Sequence, residues 1–354
     1  SGQGDSSTAG ESAGGGAFKL LAADADTYDQ FGISVGIDGA TVVIGAYKAG
    51  VGGAVYVYRT TNGGATYSQV AKLTAADAAM ADYFGYSVAI DGNTIVVGAY
   101  GDGSGAVTAG EGSVYVFRTT NGLTYSQVAK FSAADTAYGD WFGYSVAIDG
   151  DTIVVGAPYK SSRTGAAYVF RTSDGGATYG QVAKLTASDA AASDNFGSTV
   201  AVDGDTVVVG AYGDDDGGSA SGSVYVFRTT DGGATYGQVA KLTAADAAAG
   251  DWFGYSVAID GGTIVVSAYG DDDGGSDSGA AYVFRTTDGG ATYGQVAKLT
   301  ASDAAARDYF GNSVAIEGNT VVVGSLYDDH SGLYSGSAYV FRTSDGGATY
   351  GQVA

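Results

Sequence analysis

The sequence has no cysteine and only one proline, one histidine and one methionine. Without cysteine there is no disulfide framework and no thiolate to act as nucleophile or metal ligand. The lone histidine, His330, has no second histidine with which to build a transition-metal site. As a base for a serine nucleophile it would need a placed serine and an oxyanion hole, so it is not taken as catalytic. With proline almost absent, the 61 glycines must make the turns. No apolar run approaches the roughly 20 residues of a membrane span, and no membrane insertion is expected. Basic residues are scarce: 16 against 38 acidic ones, for a net charge of −22. A field of that sign repels phosphate backbones and excludes nucleic acid as a partner. It suits an extracellular or cell-surface setting, where salt screens charges beyond about 8–10 Å.

What is present is sheet-forming. Apolar residues make up 45% of the chain, which excludes a disordered polymer. They fall in short runs rich in Val, Ile, Tyr and Phe, as strands require. Residues 1–16 (SGQGDSSTAGESAGGG) have no apolar period and read as a flexible linker. Beyond them the chain repeats. Phe-Gly recurs at Phe31, Phe84, Phe142, Phe196, Phe253 and Phe310, 53 to 58 residues apart.

The fifth repeat shows the unit. Ser256–Ile259 is a short strand, Asp260-Gly261 a tight turn, and Thr263–Tyr269 an almost wholly apolar strand suited to burial on both faces. An acidic loop leads to a third strand, Ala280–Thr286. Asp288-Gly289-Gly290 then turns into a fourth, Tyr293–Thr300. Four antiparallel strands with short connections describe a propeller blade. The chain ends on Tyr350–Ala354, the first half of a fourth strand, while Ala17–Asp24 matches the second half, VAKLTAAD, of the others. The expectation is an all-β, six-bladed β-propeller over residues 17–354, its ring closed by the N-terminal strand, Phe18–Ala23, in the last blade.

The third repeat, FGYSVAIDGDTIVVGAP, carries Phe142-Gly143 and Gly156-Ala157-Pro158. It resembles the FG-GAP repeats, whose best-known members are the integrin alpha-subunit propellers. Those have seven blades and also begin with a closing strand. The turn Thr172–Tyr179 (TSDGGATY), repeated at Thr229, Thr286 and Thr343, is similar to the Asp box of sialidases. The resemblance implies a structural hairpin away from any catalytic face.

Integrin-type repeats hold calcium between the first two strands. Here that loop has shrunk to pairs such as Asp38-Gly39 and Asp260-Gly261, far short of the six to eight oxygens calcium takes. The site that the resemblance implies is therefore expected to be missing, and no cofactor is required. Candidate Ca2+ ligands lie instead in the loops after the second strands: Asp214 and Asp216, and Asp271, Asp273 and Asp277. The alternative is a solvated acidic loop. Blade connections share D-x4-D-x-F-G, whose paired carboxylates read as turn caps. The residue before each Phe varies, and Tyr83, Trp141, Trp252 and Tyr309 are the candidate ligand-binding aromatics on the variable face. They could equally wedge between blades. Recurring cations, Arg59 to Arg342 on third strands and Lys19 to Lys298 on fourth strands, read as cross-strand partners for nearby carboxylates.

The acidic residues repeat six-fold, whereas an active site should break symmetry. On that reasoning the chain is expected not to be an enzyme. It is read as a non-catalytic adhesion or binding module presenting its acidic face to an extracellular glycan or protein. The rivals are a structural subunit of a surface filament or wall layer, and a glycosidase-like propeller with paired carboxylates.

Overall fold

The computed structural model describes residues 19–103, 110–329, 332 and 334–353. The linker at 1–16, Phe18 and His330 fall outside them. The chain forms six four-stranded antiparallel sheets, each in sequential strand order. This is the six-bladed β-propeller that the repeats imply. Among the described residues no helix is long and apolar enough to cross a membrane.

In the fifth blade Val257 pairs with Val266, Val266 with Tyr282 and Val283 with Ala297. Second and third strands are the most apolar in sequence, and in the second to fifth blades they are buried almost throughout. The Phe of each Phe-Gly anchors a junction between blades. Phe84 is fully buried among Val43, Val55 and Val57 of the first blade, and meets Tyr115 edge-on at 5.4 Å. Burial of one such ring contributes about 2–3 kcal/mol. The glycine that follows is needed twice over. Gly85 has φ +87, and a Cβ there would lie 2.5 Å from the Ala54 carbonyl of the preceding blade. Gly143, Gly254 and Gly311 stand in the same relation to Ser113, Ser223 and Ala280, at 2.6, 2.6 and 2.7 Å.

Polar contacts repeat across the same junctions. The Asp in a shrunken first turn accepts from the next blade's turn glycine: Asp38 from Gly92 at 2.6 Å, Asp91 from Gly150 at 2.7 Å, Asp149 from Gly204 at 2.7 Å. Third-strand arginines do not pair with carboxylates as expected. Arg118, Arg171, Arg228 and Arg285 donate instead to the carbonyls of Gly175, Gly232, Gly289 and Gly346, in the Asp-box turn of the following blade. Fourth-strand lysines do pair with carboxylates, but with the Asp of the preceding blade connection: Lys130 with Asp77, Lys184 with Asp135. A third-strand tyrosine donates to the same carboxylate, as Tyr115 does to Asp77 at 3.0 Å. The second Asp of each connection caps its turn, as Asp82 does by accepting from the Ala79 N–H at 2.6 Å.

The expected seal by the N-terminal strand takes a different form. The last blade's fourth strand is Gly351–Gln352, paired with Phe341 and Arg342. Lys19–Asp24 lies on the first blade: Tyr58 Oη donates to the Leu21 carbonyl at 2.8 Å, and Asp24 meets Lys72 at 2.5 Å. At the seam between first and last blades the junction contacts are not repeated among the described residues. Gly32 has nothing within 4 Å of an added Cβ. Val35 is 66% exposed, whereas its counterparts Val88, Val146, Val200 and Val257 are 7–9% exposed.

The Asp-box turns are hairpins, as their sequence implies. Asp174 accepts from the N–H groups of Ala177 and Thr178, both at 2.9 Å, and from Thr178 Oγ1 at 2.6 Å. The Thr178 hydroxyl and N–H, with Thr172, hold its carboxyl far below the usual aspartate range, and the same holds for Asp231, Asp288 and Asp345. A depressed folded pKa stabilises above the unfolded value of about 3.9, and that contribution is lost as pH falls through the folded value. In the first blade Asn62 fills this position, accepting from the Thr66 N–H at 2.9 Å and donating to its hydroxyl at 2.8 Å. Replacing all four Asp by Asn should therefore keep the fold and flatten the acid limb of its stability. Melting temperatures of wild type and variant should differ at pH ~6 and converge toward pH ~2; a gap that persists at low pH would refute the assignment.

Candidate functional site

The residue before each Phe-Gly has a left-handed backbone in all six blades: Gln30, Tyr83, Trp141, Asn195, Trp252 and Tyr309, with φ from 52 to 59. Bulky side chains rarely adopt that region. In four blades the side chain so placed lies beside a tyrosine one or two residues past a second strand. Tyr83 stacks on Tyr100 with centroids 5.0 Å apart, Trp141 on Tyr159 at 3.7 Å, and Trp252 on Tyr269 at 4.8 Å. Tyr309 lies 5.6 Å from Tyr269 and 5.5 Å from Tyr327. All four aromatics singled out in the sequence thus lie in an aromatic band of two ring-contact groups, Tyr83 and Trp141 in one and Trp252 and Tyr309 in the other, and are half-buried. The blade-wedge role falls to the Phe of Phe-Gly.

Sequence reasoning missed the inner members of that band. Tyr86, Tyr144 and Tyr255 follow Phe-Gly in the second, third and fifth blades. Tyr86 Oη donates to Tyr144 Oη at 3.0 Å, and their rings are 5.0 Å apart. Tyr255 is 4.2 Å from Tyr269 and 5.8 Å from Tyr212. Burial, then the neighbouring Tyr144 hydroxyl, pushes the Tyr86 phenol far above its ordinary value. Burial, then Tyr144 and Tyr159, lifts Tyr212 to about 12. Blades two to five thus bring Tyr86, Tyr144, Tyr212 and Tyr255 within electrostatic reach of one another as one tyrosine cluster. The signal was Tyr after Phe-Gly in some repeats, with Ile33, Ser198 and Asn312 in the others.

The fourth blade breaks the band. Asn195 stands where four of the other blades carry an aromatic, is 7% exposed, and donates from Nδ2 to the Ser193 carbonyl at 2.8 Å. Its Oδ1 is buried and accepts from no described group. The third blade is also distinct. Lys160 occupies the place that Asp214 holds in the fourth blade, and pairs with Asp140 at 2.7 Å.

The acidic loops gather differently from the expectation. Asp214 and Asp216 converge, but with Asp189 of the blade connection; Asp271 and Asp273 converge with Asp246. Asp277 stands apart, its N–H donating to Asp272 at 2.7 Å. Each trio surrounds a lysine: Lys241 Nζ meets Asp189, Asp214 and Asp216 at 2.7, 3.1 and 2.5 Å. Lys298 meets Asp246, Asp271 and Asp273 at 2.8, 2.8 and 2.6 Å. Burial pulls the Lys241 pKa down, but hydrogen bonds to Asp189, Asp216 and Asp214 outweigh it and hold the ammonium above the ordinary lysine value. Tyr225 Oη donates to both Asp189 and Asp214 at 2.8 Å. In each trio a lysine ammonium supplies the positive charge that a bound cation would otherwise bring.

The family described as FG-GAP repeat matches residues 17–58, 67–117, 125–170, 179–227, 236–284 and 293–341. No curated protein matches the chain. Among solved structures, one is a Bacteroides uniformis protein assigned as a 6-phosphogluconolactonase: 12% identity, TM-score 0.61, covering 91% of this chain and 84% of the other. Another is the Pseudomonas aeruginosa periplasmic gluconolactonase, PpgL: 16% identity, TM-score 0.58, with the same coverages of 91% and 84%. At these identities the likeness is one of fold. It nonetheless corrects the expectation of a non-catalytic adhesion module and of no enzymatic activity, because proteins named as lactonases share this scaffold. The argument from repeated acid was unsound: that acid is structural, and the asymmetry sits in Tyr86, Tyr144, Asn195 and Lys160.

If Lys241 neutralises its trio, Lys241→Met should cost about 1–3 kcal/mol, the scale of a charged hydrogen bond removed from a buried partner. Wild type should respond equally to millimolar calcium and to sodium chloride of matched ionic strength. A further rise in melting temperature with calcium would show that a cation displaces the ammonium.

Proposed function

The chain belongs to the FG-GAP repeat family, and from that premise we propose that its tyrosine cluster lines the well of a propeller hydrolase acting on a sugar-derived substrate, a lactone first of all. The observation that carries this reading is the half-buried hydroxyl pair, Tyr86 donating to Tyr144 at 3.0 Å, among the rings of the aromatic band. Aromatic faces such as Trp141 and Tyr159 suit the apolar side of a sugar ring, and a few convergent polar groups orient it. Asn195 Oδ1 supplies a buried acceptor for a substrate hydroxyl.

Tyr144 keeps its own proton to donate, since its oxygen is the acceptor from Tyr86. Burial raises both phenols, so they stay protonated at neutral pH and can stabilise negative charge developing on a carbonyl oxygen. Water then adds to the lactone carbonyl carbon, the ring C–O bond breaks, and the released oxygen takes up a proton to give a hydroxy acid. Glycoside hydrolysis is favoured less. It needs two available carboxyl groups across the bond, whereas burial-raised Asp82 and Asp251 are engaged by the N–H groups of Ala79 and Ala248. The fold shared with proteins named as lactonases supports the same choice. The reading also sets the protein outside the cytoplasm or at the cell surface, supported by its net charge of −22.

The test is turnover above the buffer rate on a panel of aldonolactones and aryl glycosides. Tyr144→Phe should lower kcat by about 10²–10³-fold, the scale for removing one oxyanion donor. Trp141→Ala should mainly raise KM. An absence of turnover across the panel would overturn the proposal. Turnover on glycosides alone, unaffected by Tyr144→Phe, would move the chemistry to carboxylates.

A further inference from the structure

The open seam has two unlike faces, and each carries the residues that form the five internal junctions. On the first blade Ile33, Val35 and Ile37 are 45, 66 and 67% exposed. On the last, Val322 is 37% exposed, whereas Val208 and Val265 at the same strand position are fully buried. Beside the first face lies a cavity of about 510 Å³, lined by Gly39, Thr60, Thr61, Gly63, Gly64 and Tyr67.

That cavity is the first blade's Asp-box turn, and the other turns show what fills it. At four of them the preceding blade's arginine donates to the first box glycine's carbonyl: Gly175, Gly232, Gly289 and Gly346. At the second blade, Arg59 lies against Gly122. Gly63 is the counterpart in the first blade, and no described arginine is bonded to it. The arginine left over is Arg342 on the last blade, exposed where the others are half-buried.

The geometry points to the seam as a docking surface for a second copy of this chain, with that copy's last blade against the first blade and its Arg342 guanidinium in the cavity. Continuity with the internal junctions supports this occupant, since both faces are already complementary. Self-closure is disfavoured because it would require all five junctions to tighten together against their buried Phe rings and Gly–carbonyl approaches. The contact is heterologous, head to tail, and independent of the well.

Because the chain lacks cysteine, a single introduced pair reports the contact without background. Thr61→Cys with Arg342→Cys, oxidised across a concentration series, should give disulfide-linked dimers and higher species whose share rises with concentration. Arg342→Ala in the otherwise native chain should weaken association at least 10-fold by sedimentation. A disulfide confined to single chains would mean that the seam closes on itself and would overturn the proposal. So would the absence of any cross-link in a variant whose melting temperature is unchanged.

Discussion

The rest of the structure depends on the approach of one glycine to one carbonyl. After each junction Phe, the glycine backbone lies so close to the preceding blade's third strand that no side chain fits between them. That contact sets the distance and angle of each junction, and the Phe ring, the arginine and the Lys–Tyr–Asp group are arranged around it. Repetition then makes one local geometry into a global shape. Where it is missing, at Gly32, apolar strand faces are exposed.

Charge is handled within the same junctions. A chain with 22 excess negative charges could destabilise itself by repulsion, yet its carboxylates are largely engaged. First-turn Asp residues accept from the next blade's glycine N–H, connection Asp residues meet Lys and Tyr, and box Asp residues hold their own turns. The shrunken first turn therefore joins blades where the integrin-type repeat it resembles would carry a cation loop. The loops after the second strands were the remaining candidates for calcium, and there the fourth-strand lysine supplies the positive charge.

A scaffold this uniform confines function to the positions that differ. Second, third and fifth blades bring tyrosines into the cluster after Phe-Gly, the fourth substitutes Asn195 in the surrounding band, and the third buries Lys160. Left-handed backbone before each Phe occurs in every blade, so it is a requirement of the connection. What varies is the side chain it aims. The reasoning that found no enzyme looked for broken symmetry among the acids, where structure demands repetition, and took the variable aromatics for a binding face alone.

The sequence alone determined the blades. The Phe-Gly period, the Asp-Gly turns, the doubly apolar strands and the box hairpins are local patterns, each contained within a few residues, and each folds as read. The left-handed aromatics at Tyr83, Trp141, Trp252 and Tyr309 were legible for the same reason, because their variation stands out against a constant neighbour. Tertiary structure decided what meets across blades. Tyr86 and Tyr144 are 58 residues apart, and Lys241 enters a carboxylate trio that includes Asp216, 25 residues away. Asp277 drops out because its loop turns its backbone toward Asp272 instead. The seam was least legible of all. Whether the last blade reaches the first depends on contacts between the two ends of the repeat array, and no local pattern encodes those.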